Sequence, residues 1–142
     1  MASGIKRVLV LCTGNSCRSQ MAEGYLRLFA STTTQVYSAG IETHGLNTQA
    51  VAIMAEDGVD ISQHTSNNIS EYYDIPFDLV VTVCDHAAEN CPWFPSTALR
   101  VHHNFKDPSK VQGTPSIIHE AFVSTRNEIK TFCQSLVASY QL

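Results

Sequence analysis

Residues 12–19 read Cys-Thr-Gly-Asn-Ser-Cys-Arg-Ser, with a thiol nucleophile at one end and a guanidinium six positions later. The apolar run Val8-Leu9-Val10-Leu11 ends at Cys12, and a helix-forming stretch begins at Arg18. A buried strand therefore feeds a tight loop into a helix N-terminus. Such a turn aims backbone N–H groups and the positive end of the helix dipole into one small concavity. A tetrahedral oxyanion is its natural occupant. Thr13, Gly14, Asn15, Ser16, Cys17, Arg18 and Ser19 are the expected binding surface, Cys12 lies at its floor, and Arg18 supplies a planar fork matched to two oxyanion oxygens. The same surroundings favour a thiolate at Cys12, to which the Ser19 hydroxyl can add a hydrogen bond. A cysteine at a strand end is often only a small buried hydrophobe. Here Gly, Arg and Ser stand where an anion loop needs them, so chemistry is the better reading.

Further reactive side chains stand at the ends of later strands. Residues 78–83, DLVVTV, form a near-continuous apolar strand of the kind buried in a parallel sheet, and it ends at Cys84. Its carboxyl end belongs at the same sheet edge as that of the first strand, so Cys84 can approach Cys12. Cys91 follows seven residues on, about two helical turns away, or adjacent if the segment loops back. There is no second close pair or zinc-type histidine spacing, so no metal is expected. A last strand over residues 99–105, with Val101 and Phe105 facing one way, delivers Lys106-Asp107-Pro108. Asp-Pro is a common turn opener, but a partly buried carboxyl beside an anion site can serve as general acid. His102 and His103 are expected on the strand surface, with one of them able to border the site. Cys17 is expected to be structural and Cys133 to be core.

The pattern C-x5-R-S after an N-terminal strand resembles the signature loop of the low-molecular-weight tyrosine phosphatase superfamily. The longer string CTGNSCRSQMAEG, Cys12 to Gly24, is similar to the thioredoxin-coupled arsenate reductases on that fold. Phosphatases of the superfamily usually carry Pro after the Arg-Ser pair, where this chain has Gln20. The resemblance runs over nearly the whole chain. It implies four parallel strands in the order 2-1-3-4, helices on both faces, and a site at the strands' carboxyl ends. It also implies reduction of arsenate to arsenite, with Cys12 as nucleophile, Asp107 as acid, and Cys84 and Cys91 as resolving cysteines. The successive disulfides would be Cys12–Cys84 and Cys84–Cys91, with thioredoxin as the reductant. A serine at the position of Ser38 holds the loop asparagine in those enzymes. Asn15 is expected at positive φ, where Asn is among the few tolerated residues. In some of them Asn15, Glu23, Ser38 and the region after residue 59 cage a potassium ion with the help of a carboxylate. This chain has Asn67 there, which removes a charged ligand and argues against a tight cation site. No resident cofactor is expected.

The elements that must position these groups read as one α/β domain over residues 1–142. After the loop, Met21, Tyr25 and Leu28 recur at helical spacing over residues 18–30, with Glu23 as a solvated residue near the helix start. Residues 35–39 are a short strand ending at Gly40. Residues 47–57 form an amphipathic helix with Ala50, Ile53 and Met54 inward and Gly58 past its end. A short helix over residues 70–73 stops before Pro76. The polar segment 84–95 is suited to local unwinding between redox states. A final helix over about residues 115–139 starts at Pro115, with Ile118, Phe122, Ile129, Phe132, Cys133, Leu136 and Tyr140 along its inner stripe.

Composition bounds the partners. The 142 residues are 44% hydrophobic and 15% charged, with net charge −4 and nine scattered Lys and Arg. No basic stripe suggests nucleic acid or an anionic membrane. No apolar run approaches the ~20 residues that span a bilayer, and the first residues lack the form of a signal peptide. A cytoplasmic monomer is expected, in which the five cysteines are reduced at rest rather than a disulfide framework. Three rival functions share these residues. One is a phosphatase without a redox cycle, disfavoured by Gln20 and the Cys84/Cys91 pair. Another is an arsenite-sequestering module, which leaves the oxyanion loop unexplained. The last is an arsenate reductase drawing electrons from glutaredoxin or a low-molecular-weight thiol.

Overall fold

The most apolar stretch of the chain becomes its central strand. In the computed structural model, which describes residues 6–90 and 98–142, β1 spans Lys6–Cys12, and Val8 to Leu11 are wholly buried. A strand apolar on both faces is stable only inside a covered sheet. β1 pairs in parallel with β2, Thr34–Gly40, on one side and with β3, Leu79–Thr82, on the other. β4, Leu99–His102, pairs in parallel with β3 and completes the order β2-β1-β3-β4. This is the expected 2-1-3-4 sheet, and the site-bearing positions Cys12 and Cys84 follow neighbouring strand ends.

The helices are α1, Arg18–Phe29; α2, Thr48–Glu56; α3, Asp85–Asn90; and α4, Pro115–Tyr140. The connection β1–α1–β2 steps one way across the sheet and β3–α3–β4 the other. Right-handed crossovers then place α1 and α3 on opposite faces. α1 packs on β1, β2 and α4, and α2 joins α4. Each helix end has a chemical cause. The Asn47 side chain accepts from the amides of Gln49 and Ala50 at the start of α2, and Thr114 with Pro115 starts α4. At the far end of α4, Lys6 Nζ donates to the carbonyls of Tyr140 (2.8 Å) and Gln141 (2.9 Å). A cation thus meets the negative helix end and ties the last helix to the first strand.

Several local expectations are corrected. Met21 and Tyr25 are fully buried, but Leu28 is 58% exposed. The first nine residues of α1, Arg18 to Leu26, are covered on every side, and the last turn projects past that cover. β4 ends at His102 rather than at residue 105, although the Phe105 amide still donates to the Val83 carbonyl (3.0 Å) and Phe105 is buried. The short helix before Pro76 is a 3-10 turn, Ile69–Tyr72, begun one residue early by an Asn68–Glu71 capping box. The inward positions of α4 hold for Phe122, Ile129, Cys133 and Leu136.

Leu9 sits at 0% exposure in the middle of this core. Leu9→Ala is expected to lower the unfolding free energy by about 2–5 kcal/mol, measured as a fall in the urea midpoint at unchanged slope.

Candidate active site

The loop between β1 and α1 closes around Asn15. Its φ is +48°, as its residue type suggested, and its side chain is completely buried. Nδ2 donates to Ser19 Oγ (2.8 Å) and Ser38 Oγ (2.9 Å), while Oδ1 accepts from the Asn67 amide (2.7 Å). Ser38 therefore holds the loop asparagine as expected. Ser19 acts through Asn15, and no hydrogen bond joins it to Cys12 among the described residues. The loop also packs too closely on β2 for any side chain at residue 40. A Cβ on Gly40 would stand 2.8 Å from the Asn15 nitrogen and from the Thr13 oxygen, closer than non-bonded atoms allow.

Behind Asn15 lies a second tier, in which the resemblance grouped Glu23 and Ser38 but not Arg27 or Gln20. Ser38 Oγ donates to Glu23 Oε1 (2.5 Å), and Glu23 Oε2 pairs with Arg27 Nε (2.8 Å) and lies 3.7 Å from His64 Nε2. Glu23 is only 7% exposed, which corrects the expectation of a solvated residue: a buried carboxylate persists because it is paired and hydrogen-bonded. Gln20, also fully buried, donates to the Asn15 and Thr65 carbonyls and contacts His64 Nδ1 through Oε1. The residue that replaces proline thus braces the loop. The cation cage fits these residues poorly. Arg27 already neutralises Glu23, and the Asn67 side-chain oxygen accepts from Thr65 Oγ1 (2.7 Å). A cavity of about 370 Å³ beside this tier is lined by Glu23, Arg27, Ser38, His64, Thr65 and Asn67, among others. It borders the loop's support, not its mouth.

The concave side of the loop encloses about 150 Å³, lined by Cys12, Thr13, Gly14, Ser16, Cys17, Arg18, His44, Asp107, Ser109 and Lys110. Arg18 is 9% exposed. Its Nη1 donates to the Phe105 carbonyl (3.0 Å), and its Nη2 lies 3.5 Å from Asp107 Oδ2. Asp107 is oriented by its own turn: Oδ1 accepts from the Ser109 amide (3.0 Å) and from Ser109 Oγ (2.6 Å). The guanidinium is thus fixed from behind and the carboxyl is held at the cavity edge. His44, Ser109 and Lys110 were not anticipated. Ser109 and Lys110 follow Asp107-Pro108 on one 3-10 turn, which was a usable signal. His44, paired with Glu42 (2.8 Å), reaches the cavity only because the chain after β2 hydrogen-bonds to the loop at Thr13 and Gly14.

The described cysteines divide by environment. Cys84 is 2% exposed, with Sγ 3.3 Å from Thr13 Oγ1 and 3.4 Å from the Ala87 amide that donates to it. The second thiol is therefore joined to the loop that begins at the first. Burial foremost, with Asp107 and Cys12 adding to it against Arg18, pushes the Cys17 thiol far above the ordinary cysteine range. Burial alone pushes Cys133 up to about 12. Both fit structural roles. Cys91, and with it the Cys84–Cys91 pairing, lies outside the described residues. Among the described residues no group of three or more His, Cys, Asp or Glu is arranged to hold a metal, and no helix is long and apolar enough to cross a membrane.

The chain's relatives share this arrangement of elements. A family model described as low molecular weight phosphotyrosine protein phosphatase matches residues 7–141. An arsenate reductase of Halalkalibacterium halodurans is 48% identical over 134 residues, 92% of this chain and 96% of that one. A solved arsenate reductase in its phosphate-binding state superposes with a TM-score of 0.80 at 31% identity, covering 94% of this chain and 98% of that one. The low molecular weight protein tyrosine phosphatase of T. tengcongensis shares the fold, with a TM-score of 0.78 at 24% identity over 94% of this chain and 99% of that one.

Burial lowers the His64 pKa below its ordinary 6.5, opposed by Glu23, reinforced by Arg27 and opposed again by Asp60. A lower value in the folded state means that the unfolded chain binds the proton more readily. The stability tied to neutral His64 is thus complete above 6.5 and is lost as the pH falls through the folded value. Urea titrations at a series of pH values should show a shallower acid-side loss for His64→Gln than for wild type.

Proposed function

The chain belongs to the low molecular weight phosphotyrosine protein phosphatase family, and we propose that it is an arsenate reductase that works by a three-cysteine relay regenerated by thioredoxin. The observation that carries this reading is the Cys84 thiol held 3.3 Å from Thr13 Oγ1. A hydrolytic phosphatase needs one thiol at its anion loop. A second thiol docked on that loop supplies what a reductase needs, an attacker for the first sulfur.

Arsenate docks on the loop amides and on the Arg18 fork. The Cys12 thiolate attacks arsenic and forms an S–As bond, and Asp107 gives its proton to the departing hydroxide, which leaves as water. The Asp107–Arg18 pairing and the short Ser109 contacts support that role, since they aim the carboxyl at the group Arg18 holds. Cys84 then attacks Cys12 Sγ. The S–As bond breaks with its electron pair staying on arsenic, so arsenic(V) leaves as arsenite and a Cys12–Cys84 disulfide remains. Cys91 attacks Cys84 Sγ, frees Cys12 and forms Cys84–Cys91, which thioredoxin reduces by exchange. The relay answers an access problem, because both Cys12 and Cys84 are about 97–98% buried and a protein reductant reaches neither directly.

Cys84 and Cys91 flank α3. A helix of six residues rises about 9 Å, whereas a disulfide spans Cα atoms about 4.4–6.8 Å apart. We infer that oxidation of that pair draws the ends of α3 together and unwinds it. Amide exchange should show α3 less protected in the oxidised than in the reduced protein, and equal protection would count against the relay.

The test is NADPH consumption on adding arsenate to the protein with thioredoxin and thioredoxin reductase. Wild type is expected to turn over steadily and Cys91→Ser to stop after one turnover. Arg18→Lys should lose about 100-fold or more in kcat/KM, since an ammonium lacks the fork, and Cys17→Ser should remain active. Turnover only with glutaredoxin and a small thiol would replace the partner and keep the chemistry. Phosphate-ester hydrolysis with no arsenate-dependent thiol oxidation would overturn the reductase reading in favour of a phosphatase.

A further inference from the structure

A set of side chains next to Cys84 takes no part in the chemistry above. His102, the last residue of β4, is engaged through both ring nitrogens: Nδ1 lies 2.7 Å from Thr82 Oγ1 and Nε2 lies 2.7 Å from Asp85 Oδ1. Asn104 Oδ1 accepts from the Asp85 amide at 3.0 Å. Asp85 is the first residue of α3, so that helix is pinned by side chain and by backbone to the segment that ends β4. The β3–β4 ladder, Leu79↔Leu99 to Thr82↔His102, already joins the two strands. What the extra bonds add is a hold on the start of the helix, one residue after the resolving cysteine.

We propose that Asp85, His102 and Asn104 form a clasp that holds α3 helical in the dithiol form and so sets the Cys84–Cys91 dithiol–disulfide equilibrium. The clasp deepens the relay reading and rests on it. In the relay only Cys91 loses a proton: it attacks Cys84, one S–S bond forms as Cys12–Cys84 breaks, and Cys12 leaves with the electron pair and takes up a proton. In the test both thiols lose a proton, one S–S bond forms, and two electrons and the protons pass to oxidised dithiothreitol. Unwinding of α3 carries Asp85 away from His102 and Asn104. Contacts present only in the dithiol form favour that form, so the clasp makes the spent disulfide easier to reduce. Asp85 and His102 side chains are 67% and 39% exposed, so water screens their attraction, and the effect is a factor of about two to five in the equilibrium constant. These are positioning residues: they act through the helix and touch no substrate.

The experiment equilibrates the full-length Cys12→Ser protein with mixtures of reduced and oxidised dithiothreitol. The fraction of Cys84–Cys91 disulfide is counted by alkylation and mass spectrometry. Asp85→Ala and His102→Ala, each in that background, should shift the equilibrium toward disulfide about two- to fivefold, and the double variant no further than either alone. Asp85→Asn keeps an acceptor for His102 and should lie within about twofold of the parent. His102→Ala also frees Thr82, so the Asp85 pair of variants decides the outcome if that protein folds poorly. Equal equilibrium constants for the parent and Asp85→Ala, or fully additive shifts, would overturn the clasp while leaving the relay intact. Absence of any Cys84–Cys91 disulfide in the parent would overturn the relay and the clasp together.

Discussion

The cradle depends on one asparagine held in the left-handed backbone region inside the protein. Asn15 at φ +48° turns the chain sharply enough for the loop to face α1, a conformation that disfavours most L residues by roughly 1–2 kcal/mol. Three hydrogen bonds from its buried side chain and one to its carbonyl offset that strain. The partners come from three places: Ser19 and Gln20 from α1, Ser38 from β2, and Asn67 from the stretch before the 3-10 turn. The loop's shape is therefore a property of the assembled domain, and the tier of Glu23, Arg27 and His64 supports it through Ser38.

Around that loop the protein separates four described thiols into two kinds by environment. Cys17 and Cys133 are buried where the neutral thiol is strongly preferred, which makes them poor nucleophiles. Cys12 ends β1 and Cys84 follows the adjacent β3, with the Cys84 sulfur 3.3 Å from the hydroxyl of Thr13, the residue after Cys12. Arg18 opens α1 and Asp107 follows the stretch after β4, and their pairing draws the carboxyl to the cavity edge. The same sheet edge thus holds Cys12, Cys84, Arg18 and Asp107, as open parallel sheets place their sites at the carboxyl ends of strands.

The arrangement divides rigidity from motion. β1, β3 and the first turns of α1 are among the most buried parts of the molecule, so the loop is built on elements that open last. α3 is short, and Asp85, His86 and Glu89 along it are exposed, so it has less of the cover that surrounds the cradle beside it.

Much of this was legible in the residues. Apolar runs marked β1 and β3 because burial on both faces leaves no room for polar positions. The start of α4 was readable from Pro115, whose fixed φ and missing N–H suit a first helical turn. The nucleophile loop announced itself by spacing, and Asn15 by residue type. The sheet order came with the family resemblance. What the sequence left hidden were other contacts made across the fold: Gln20 with His64, Glu23 with Arg27 and His64, His44 at the cavity rim, Asp85 with His102, and the exposure of Leu28 beyond the cover of α1. Helical and strand periodicity reports which face of an element turns inward. It carries no information about which distant side chain meets that face, or where the neighbouring element stops. Those choices are made only when the strands take their order and bring residues 15 and 67, or 85 and 102, within hydrogen-bonding distance.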